Sequence, residues 1–189
     1  MIFRDLILGR ITIRRMRMKT VAYAIGRFSP PHKGHVLFLK WLLSRFDELI
    51  VGIGSCYEVG SSRHPLLAFF REKMLLESLL REGIDASRVS FVHLQDFVND
   101  WDGWWKHIIS IPRIAEVTHF VTGNENQILG EMKTRNMQIP FVLVNPEKDI
   151  PPEFTFSYHA KDLREAIGRN DYATFRQIAA SGTVALMGN

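Results

Sequence analysis

The chain has 189 residues, a single cysteine and a formal net charge of +4, with 46% hydrophobic and 23% charged residues. That mixture and size suit one soluble globular domain able to bury a full core. No apolar run approaches the roughly 20 residues that span a bilayer, which speaks against a helical membrane protein.

The surplus of positive charge is local. Residues 1–19 hold Arg4, Arg10, Arg14, Arg15, Arg17 and Lys19 against Asp5 alone, and the rest of the chain carries 18 basic and 19 acidic residues. A near-neutral body offers nucleic acid no electrostatic footprint, so none is expected as a partner. The leader alternates apolar and basic residues and lacks the apolar core and small-residue cleavage site of a signal peptide. It reads as an extra edge strand, a basic arm or sequence upstream of a later start at Met16 or Met18, with residues 20–189 forming the domain proper. Cys56 fits a reducing, cytoplasmic compartment. Placed after an apolar run, it reads as a small buried or half-buried filler.

In chain order, five short β-rich runs alternate with helical patterns. The strands are expected at Thr20–Ile25, Leu49–Gly54, Arg88–His93, Val117–Thr122 and Ile139–Val144, each bounded by Gly, Pro, Asn or charged residues. Between them, His35–Phe46 aligns Val36, Leu39, Leu42 and Leu43 on one helical face. Pro65 stands at a first-turn position before a helix over Leu66–Arg81, which Gly83 ends. Shorter helices are expected over Trp104–Ser110 and Glu125–Arg135. A polar, Pro-containing connection (Pro146–Pro152) precedes two closing helices, Ala160–Gly168 and Tyr172–Ala180. Alternation of this kind predicts a single α/β domain, a Rossmann-like doubly wound fold with a mainly parallel five-stranded sheet and C-terminal helices. Ligands of such sheets bind beyond the carboxyl ends of the strands.

The densest chemistry follows the first strand, in Gly26-Arg-Phe-Ser-Pro-Pro-His-Lys-Gly-His35. Gly26 permits a turn where backbone approaches a ligand, and two prolines stiffen the loop. The start of the next helix presents free N–H groups and partial positive charge, which suits phosphate. His32 and His35, three residues apart across that turn, can face one anion.

This segment resembles the signature of the nucleotidyltransferase superfamily, whose His-x-Gly-His is shared with class I aminoacyl-tRNA synthetases. In its longer form it looks most like the nicotinamide-mononucleotide adenylyltransferases of archaeal type. Further stretches support that branch. His64-Pro-Leu-Leu-Ala-Phe-Phe-Arg-Glu-Lys-Met74 is similar to the family's Asn-Pro-Phe-Thr-x-x-Glu-Arg-x-x-Met helix, which makes Arg71 a candidate for acceptor binding. A solvated helix face is the other reading of Arg71 and Glu72. Gln95–Trp105 is similar to an Asp, Asn and Trp stretch that stacks an aromatic ring on nicotinamide. It implies acceptor contacts from Asn99 and from Trp101 or Trp105, with aromatic core packing as the alternative. Thr122-Gly123-Asn124 resembles the turn bordering adenosine, although such turns are common.

The departure is C-terminal. Where the family has Ile-Ser-x-Thr-x-Ile-Arg, this chain has Tyr158-His-Ala-Lys-Asp-Leu-Arg164, with His159 and Lys161 replacing two hydroxyls and Arg164 kept. The resemblance implies catalytic roles for His32 and His35, and ATP contacts from Gly26, Arg27, Phe28, Gly123, Asn124, His159, Lys161 and Arg164. It also implies ATP with substrate-bound Mg²⁺, nicotinamide mononucleotide as acceptor, and a homo-oligomer. No dedicated carboxylate cage for a metal is visible. Two other readings stay open: an adenylyl- or cytidylyltransferase with another phosphate acceptor, and a catalytically inactive nucleotide-binding sensor.

Overall fold

A computed structural model describes residues 18–188 except 59, 62–64, 124, 137 and 139. The leader lies almost wholly outside the described residues. Its last residue, Lys19, pairs with Glu48.

Five strands, β1 (Val21–Gly26), β2 (Glu48–Ile53), β3 (Val89–His93), β4 (His119–Val121) and β5 (Val142–Val144), form one sheet in the order β3-β2-β1-β4-β5. Every pairing is parallel, with Tyr23 of β1 opposite Ile50 on one side and Phe120 on the other. The chain winds outward from β1 to β3, then returns across the sheet to lay β4 against β1. The strand order therefore reverses between β1 and β4, and a crevice opens there.

Both faces are covered, which is why the strands read as continuous apolar runs. Alternation along β1 sends Ala22 and Ala24 into a core with Val36, Leu39 and Leu42 of α1 (Lys33–Arg45) and with Leu75 and Leu79 of α2 (Ala68–Arg81). Val21 and Tyr23 enter the opposite core with Trp105 and Ile108 of α3 (Trp101–Ile108) and Ile128 and Met132 of α4 (Glu125–Thr134). Burying each large side chain contributes about 1.5–3 kcal/mol, so these layers supply most of the favourable free energy. Cys56 is half-buried against the first core.

Several boundaries differ from the sequence expectation. Helix α1 begins at Lys33, with His32 rather than His35 at its entry. Pro65 stands outside α2, whose N-cap is Leu67. Helix α3 begins three residues early because the Asp100 carboxylate accepts the Gly103 N–H at 2.8 Å, a side-chain cap that outranks the aromatic spacing. The Pro146–Pro152 connection contains a four-residue helix, α5 (Pro146–Asp149), capped by Asn145, which accepts from the Glu147 N–H at 3.0 Å.

Three helices rather than two close the chain: α6 (Ala160–Gly168), α7 (Tyr172–Ile178) and α8 (Ser181–Met187). Helix α8 packs on α2 at Gly182, where a Cβ would lie 2.2 Å from the Met74 carbonyl. The Gly182 N–H donates to Ser78 Oγ at 2.8 Å. Only a residue without a side chain allows so close a crossing.

Candidate active site

The loop after β1 folds on itself before α1 begins. Phe28 adopts a positive φ of 49° and tucks its ring beneath Gly26, where any Cβ would come within 2.7 Å of it. The buried Phe28 ring meets His35 edge-on at 4.9 Å. His32 stacks on His35 with centroids 3.6 Å apart and planes 29° from parallel. On its far side His32 faces Phe156 at 6.3 Å. Gly34 permits this arrangement, because its Cβ would stand 3.0 Å from both the His32 ring and Phe156 Cβ.

One hydrogen bond sets the chemistry of His35. Its Nδ1 accepts the His32 backbone N–H at 3.2 Å, so in the neutral ring the proton sits on Nε2, which is left as the donor. This is the geometry of a capping box with imidazole in place of the usual Glu or Gln. Burial and the neighbouring histidines push the His35 pKa well below its ordinary value. Burial, reinforced by the charge of His159, lowers His32 to about 4. Both shifts favour the neutral rings over the cations at pH 7.

Depressed histidines make stability depend on pH. The unfolded chain binds protons near pH 6.5 that native His32 refuses until about pH 4, so stability is full above pH 6.5 and falls with acidification through that window. His32 alone accounts for a loss on the order of 3 kcal/mol. Thermal unfolding between pH 7.5 and 4.5 is expected to show this slope, with a shallower one for His32→Gln. Equal slopes would remove the buried neutral His32 from the account.

The loop is braced from three directions. Arg71 of α2, wholly buried, donates to the carbonyls of Arg27, Gly54 (2.8 Å) and Ser55 (2.9 Å), tying the ends of β1 and β2 together. From the C-terminal helices, Thr183 Oγ1 donates to the Pro31 carbonyl at 2.8 Å and Arg164 to the Ser29 carbonyl at 2.7 Å. Lys33 Nζ in turn donates to the Gln177 carbonyl at 2.6 Å, at the end of α7. Helix α6 carries His159 at its entry, where the His159 N–H donates to Asp162 at 2.7 Å.

Beside this loop, at the crevice between β1 and β4, lies a cleft of about 900 Å³. Arg27, Asn99, Trp101 and Gly123 line it, as do Trp104, Phe97, Gln127, Glu131 and Arg135. The first four are sequence candidates. The others were not singled out from sequence, although Glu131 and Arg135 stand at the i,i+4 spacing of a helical ion pair and Trp104 belongs to the Trp-rich stretch. The Trp101 and Trp104 ring centroids are 5.0 Å apart.

The structure thus gathers His32, His35 and His159 into one electrostatically coupled cluster and Arg27, Asn99, Trp101 and Gly123 around the cleft. It redistributes others. Trp105 is 3% exposed and belongs to the core; Trp104 takes its place at the cleft. Arg71 sits neither on a solvated face nor at the cleft, because the carbonyls of two loop ends engage its guanidinium. Phe28, expected to contact ATP, is buried with its ring against His35. Lys161 is exposed, 3.7 Å from Glu165. Asn124 lies outside the described residues.

The cytidylyltransferase-like family model matches residues 23–134, more than half of the chain, from β1 through α4. The chain belongs to this family. Among relatives of this cytidylyltransferase-like chain, the nicotinamide-nucleotide adenylyltransferase of Saccharolobus solfataricus is 38% identical over 85 residues, 45% of this chain and 48% of that protein. The enzyme of the same name from Caldivirga maquilingensis is 39% identical over 100 residues, 53% and 54% of the two chains. The chain spans about half the length of the curated relatives it matches. In fold it is similar to a bifunctional NMN adenylyltransferase/ADP ribose pyrophosphatase from Francisella tularensis, with a TM-score of 0.61, 21% identity and 80% of this chain and 42% of that one covered. A nicotinic acid mononucleotide adenylyltransferase from Plasmodium falciparum gives a TM-score of 0.57 at 14% identity, covering 88% and 93%. At these identities the two structures speak to the Rossmann-like fold alone. No helix among the described residues is long and apolar enough to cross a membrane.

Proposed function

We propose that this chain transfers AMP from ATP to nicotinamide mononucleotide, giving NAD and pyrophosphate. The observation that carries the reading is the stacked His32–His35 pair at the start of α1, its Nε2 donor set by the His32 N–H, beside a cleft lined by Trp101, Trp104 and Asn99. The names of the archaeal relatives agree with it.

In the reaction, a phosphate oxygen of the mononucleotide attacks the α-phosphorus of ATP. A new P–O bond forms, the bond to the α–β bridging oxygen breaks, and pyrophosphate leaves. The nucleophile is already an anion, so alignment and charge stabilisation take the place of a general base. His35 Nε2–H serves the charge that grows on the α-phosphate oxygens. His32 supports that ring by stacking, and the first-turn N–H groups of α1 add partial positive charge. Arg27, Lys161 and Arg164 neutralise the remaining phosphates, with His159 and Lys161 standing in as donors for the family's two hydroxyls. Among the described residues no group of three His, Cys, Asp or Glu is placed to hold a metal. In this reading magnesium enters as part of the Mg–ATP substrate. The flat acceptor base stacks on Trp101 or Trp104, with Asn99 available to a carboxamide. A single cysteine and a near-neutral body support a cytoplasmic enzyme acting on small molecules rather than nucleic acid, and the family resemblance implies a homo-oligomer.

The test is an end-point assay with Mg–ATP and nicotinamide mononucleotide, following dinucleotide and pyrophosphate by chromatography. Equimolar NAD and pyrophosphate are the expected products. The replaced hydroxyls at His159 and Lys161 favour one second reading, a nucleotide sensor, which tight ATP binding without pyrophosphate release across a panel of acceptors would identify.

A further inference from the structure

Around Trp101 the cleft is more acidic than the arginine beside it suggests. The guanidinium of Arg135 lies over the Trp101 ring, 5.9 Å from its centroid, at the end of α4. That cation is already engaged. Its Nε donates to Asp102 Oδ1 at 2.7 Å and its Nη1 pairs with Glu131. Asp100 has one carboxylate oxygen on the Gly103 N–H at 2.8 Å. Over Trp101 one guanidinium is thus paired with two carboxylates, and a third carboxylate, Asp100, lines the same cleft.

This arrangement has a consequence for charged rings. A pyridine alkylated on its ring nitrogen is a flat cation, which an indole face attracts. A carboxamide substituent leaves that charge intact; a carboxylate substituent brings its own negative charge to the acidic rim. An unpaired arginine would welcome that carboxylate as a bidentate partner. With Asp102 on its Nε and Glu131 on its Nη1, Arg135 already has its charge balanced by two carboxylates.

We propose that Asp102 and Glu131, by neutralising Arg135 over Trp101, make this cleft select a pyridinium mononucleotide bearing a carboxamide over one bearing a carboxylate. The inference rests on the acceptor reading above and assigns to it three residues that control specificity. They act on recognition rather than on the phosphorus centre, so the effect falls on KM for the acid far more than on kcat.

The test compares nicotinamide and nicotinate mononucleotides as separate acceptors with Mg–ATP. The native chain is expected to favour the amide by about tenfold or more in kcat/KM. In the double variant Asp102→Asn, Glu131→Gln the ratio is expected to move about tenfold toward the acid, through KM. Adding Arg135→Met should abolish that gain. The native preference should also shrink as salt rises from about 0.05 to 0.5 M, a response that a purely steric role would lack. A native preference for the acid, a ratio unmoved in the double variant, or insensitivity to salt would each overturn the proposal. Quenching of tryptophan fluorescence by each mononucleotide reads the same selectivity without turnover. Selective quenching by the amide with no dinucleotide formed would sink the transferase reading and support this one, whereas quenching by neither mononucleotide would sink this one.

Discussion

Replacing His35 by Ala is expected to lower NAD formation by at least a hundredfold while the protein stays folded. The reason is the division of labour between the two ring nitrogens. Nδ1 accepts the His32 N–H at 3.2 Å and thereby leaves Nε2 as a donor. Loss of one well-placed donor to a developing anion costs on the order of 3–4 kcal/mol of transition-state stabilisation. Loss of the Nδ1 acceptor removes a helix cap, typically about 1 kcal/mol, which lowers Tm by roughly 2–4 °C for a domain of this size. The two effects separate in His35→Asn. Its amide oxygen can keep the cap, while the distal donor is gone. His35→Asn should therefore retain near-native Tm and share the hundredfold loss in kcat. A rate close to native in either variant would remove His35 from the reaction.

Arg71→Met is expected to be the most destabilising single change at the site, by about 3–5 kcal/mol, or roughly 10–15 °C in Tm. Arg71 has 0% of its surface exposed, and burial lowers its pKa. Its donors serve the carbonyls of Arg27, Gly54 and Ser55 at the ends of two adjacent strands. Methionine fills much of the volume but leaves three acceptors without partners in a low-dielectric setting, each costing about 1–3 kcal/mol. Lysine keeps the charge yet has one nitrogen where the guanidinium has a planar fork, so Arg71→Lys should fall between native and Met. Thermal unfolding alone decides this. If Arg71→Met melted with the native protein but raised KM for the acceptor, the expectation drawn from sequence, a contact with the acceptor, would be restored and the clamp refuted.

Both predictions concern residues that the sequence marked, and they mark the reach of such reasoning. His32 and His35 stand in a ten-residue run with a glycine at one end and prolines inside it, so their juxtaposition is a local matter of turn and helix start. Arg71 was equally visible, but its partners lie 16 to 44 residues away along the chain, and no local pattern announces three carbonyls converging on a helix. The same holds for the tryptophans. Positions 101, 104 and 105 look interchangeable in sequence; which of them faces the cleft depends on the rotation of α3, set by the Asp100 cap and by the packing of Trp105 and Ile108 under the sheet. Helix α8 escaped notice because Ser181-Gly-Thr-Val-Ala-Leu-Met187 contains a glycine and β-branched residues that disfavour an isolated helix. Its stability comes from packing on α2, where Gly182 allows backbone contact.

By itself, then, the sequence determined the parallel α/β architecture, because strands buried on both faces and amphipathic helices repeat with periods that composition cannot hide. It also determined the histidine pair, because three-residue spacing across a helix start is local geometry. Only the tertiary structure decided that the C-terminal helices brace that loop through Pro31 and Ser29, that Arg71 is a clamp, and that Arg135 lies over Trp101 between two carboxylates. The physical reason is common to all three. Each depends on contacts between segments distant in the chain, whose partners are chosen by the packing of layers across the sheet and not by the propensities of their neighbours.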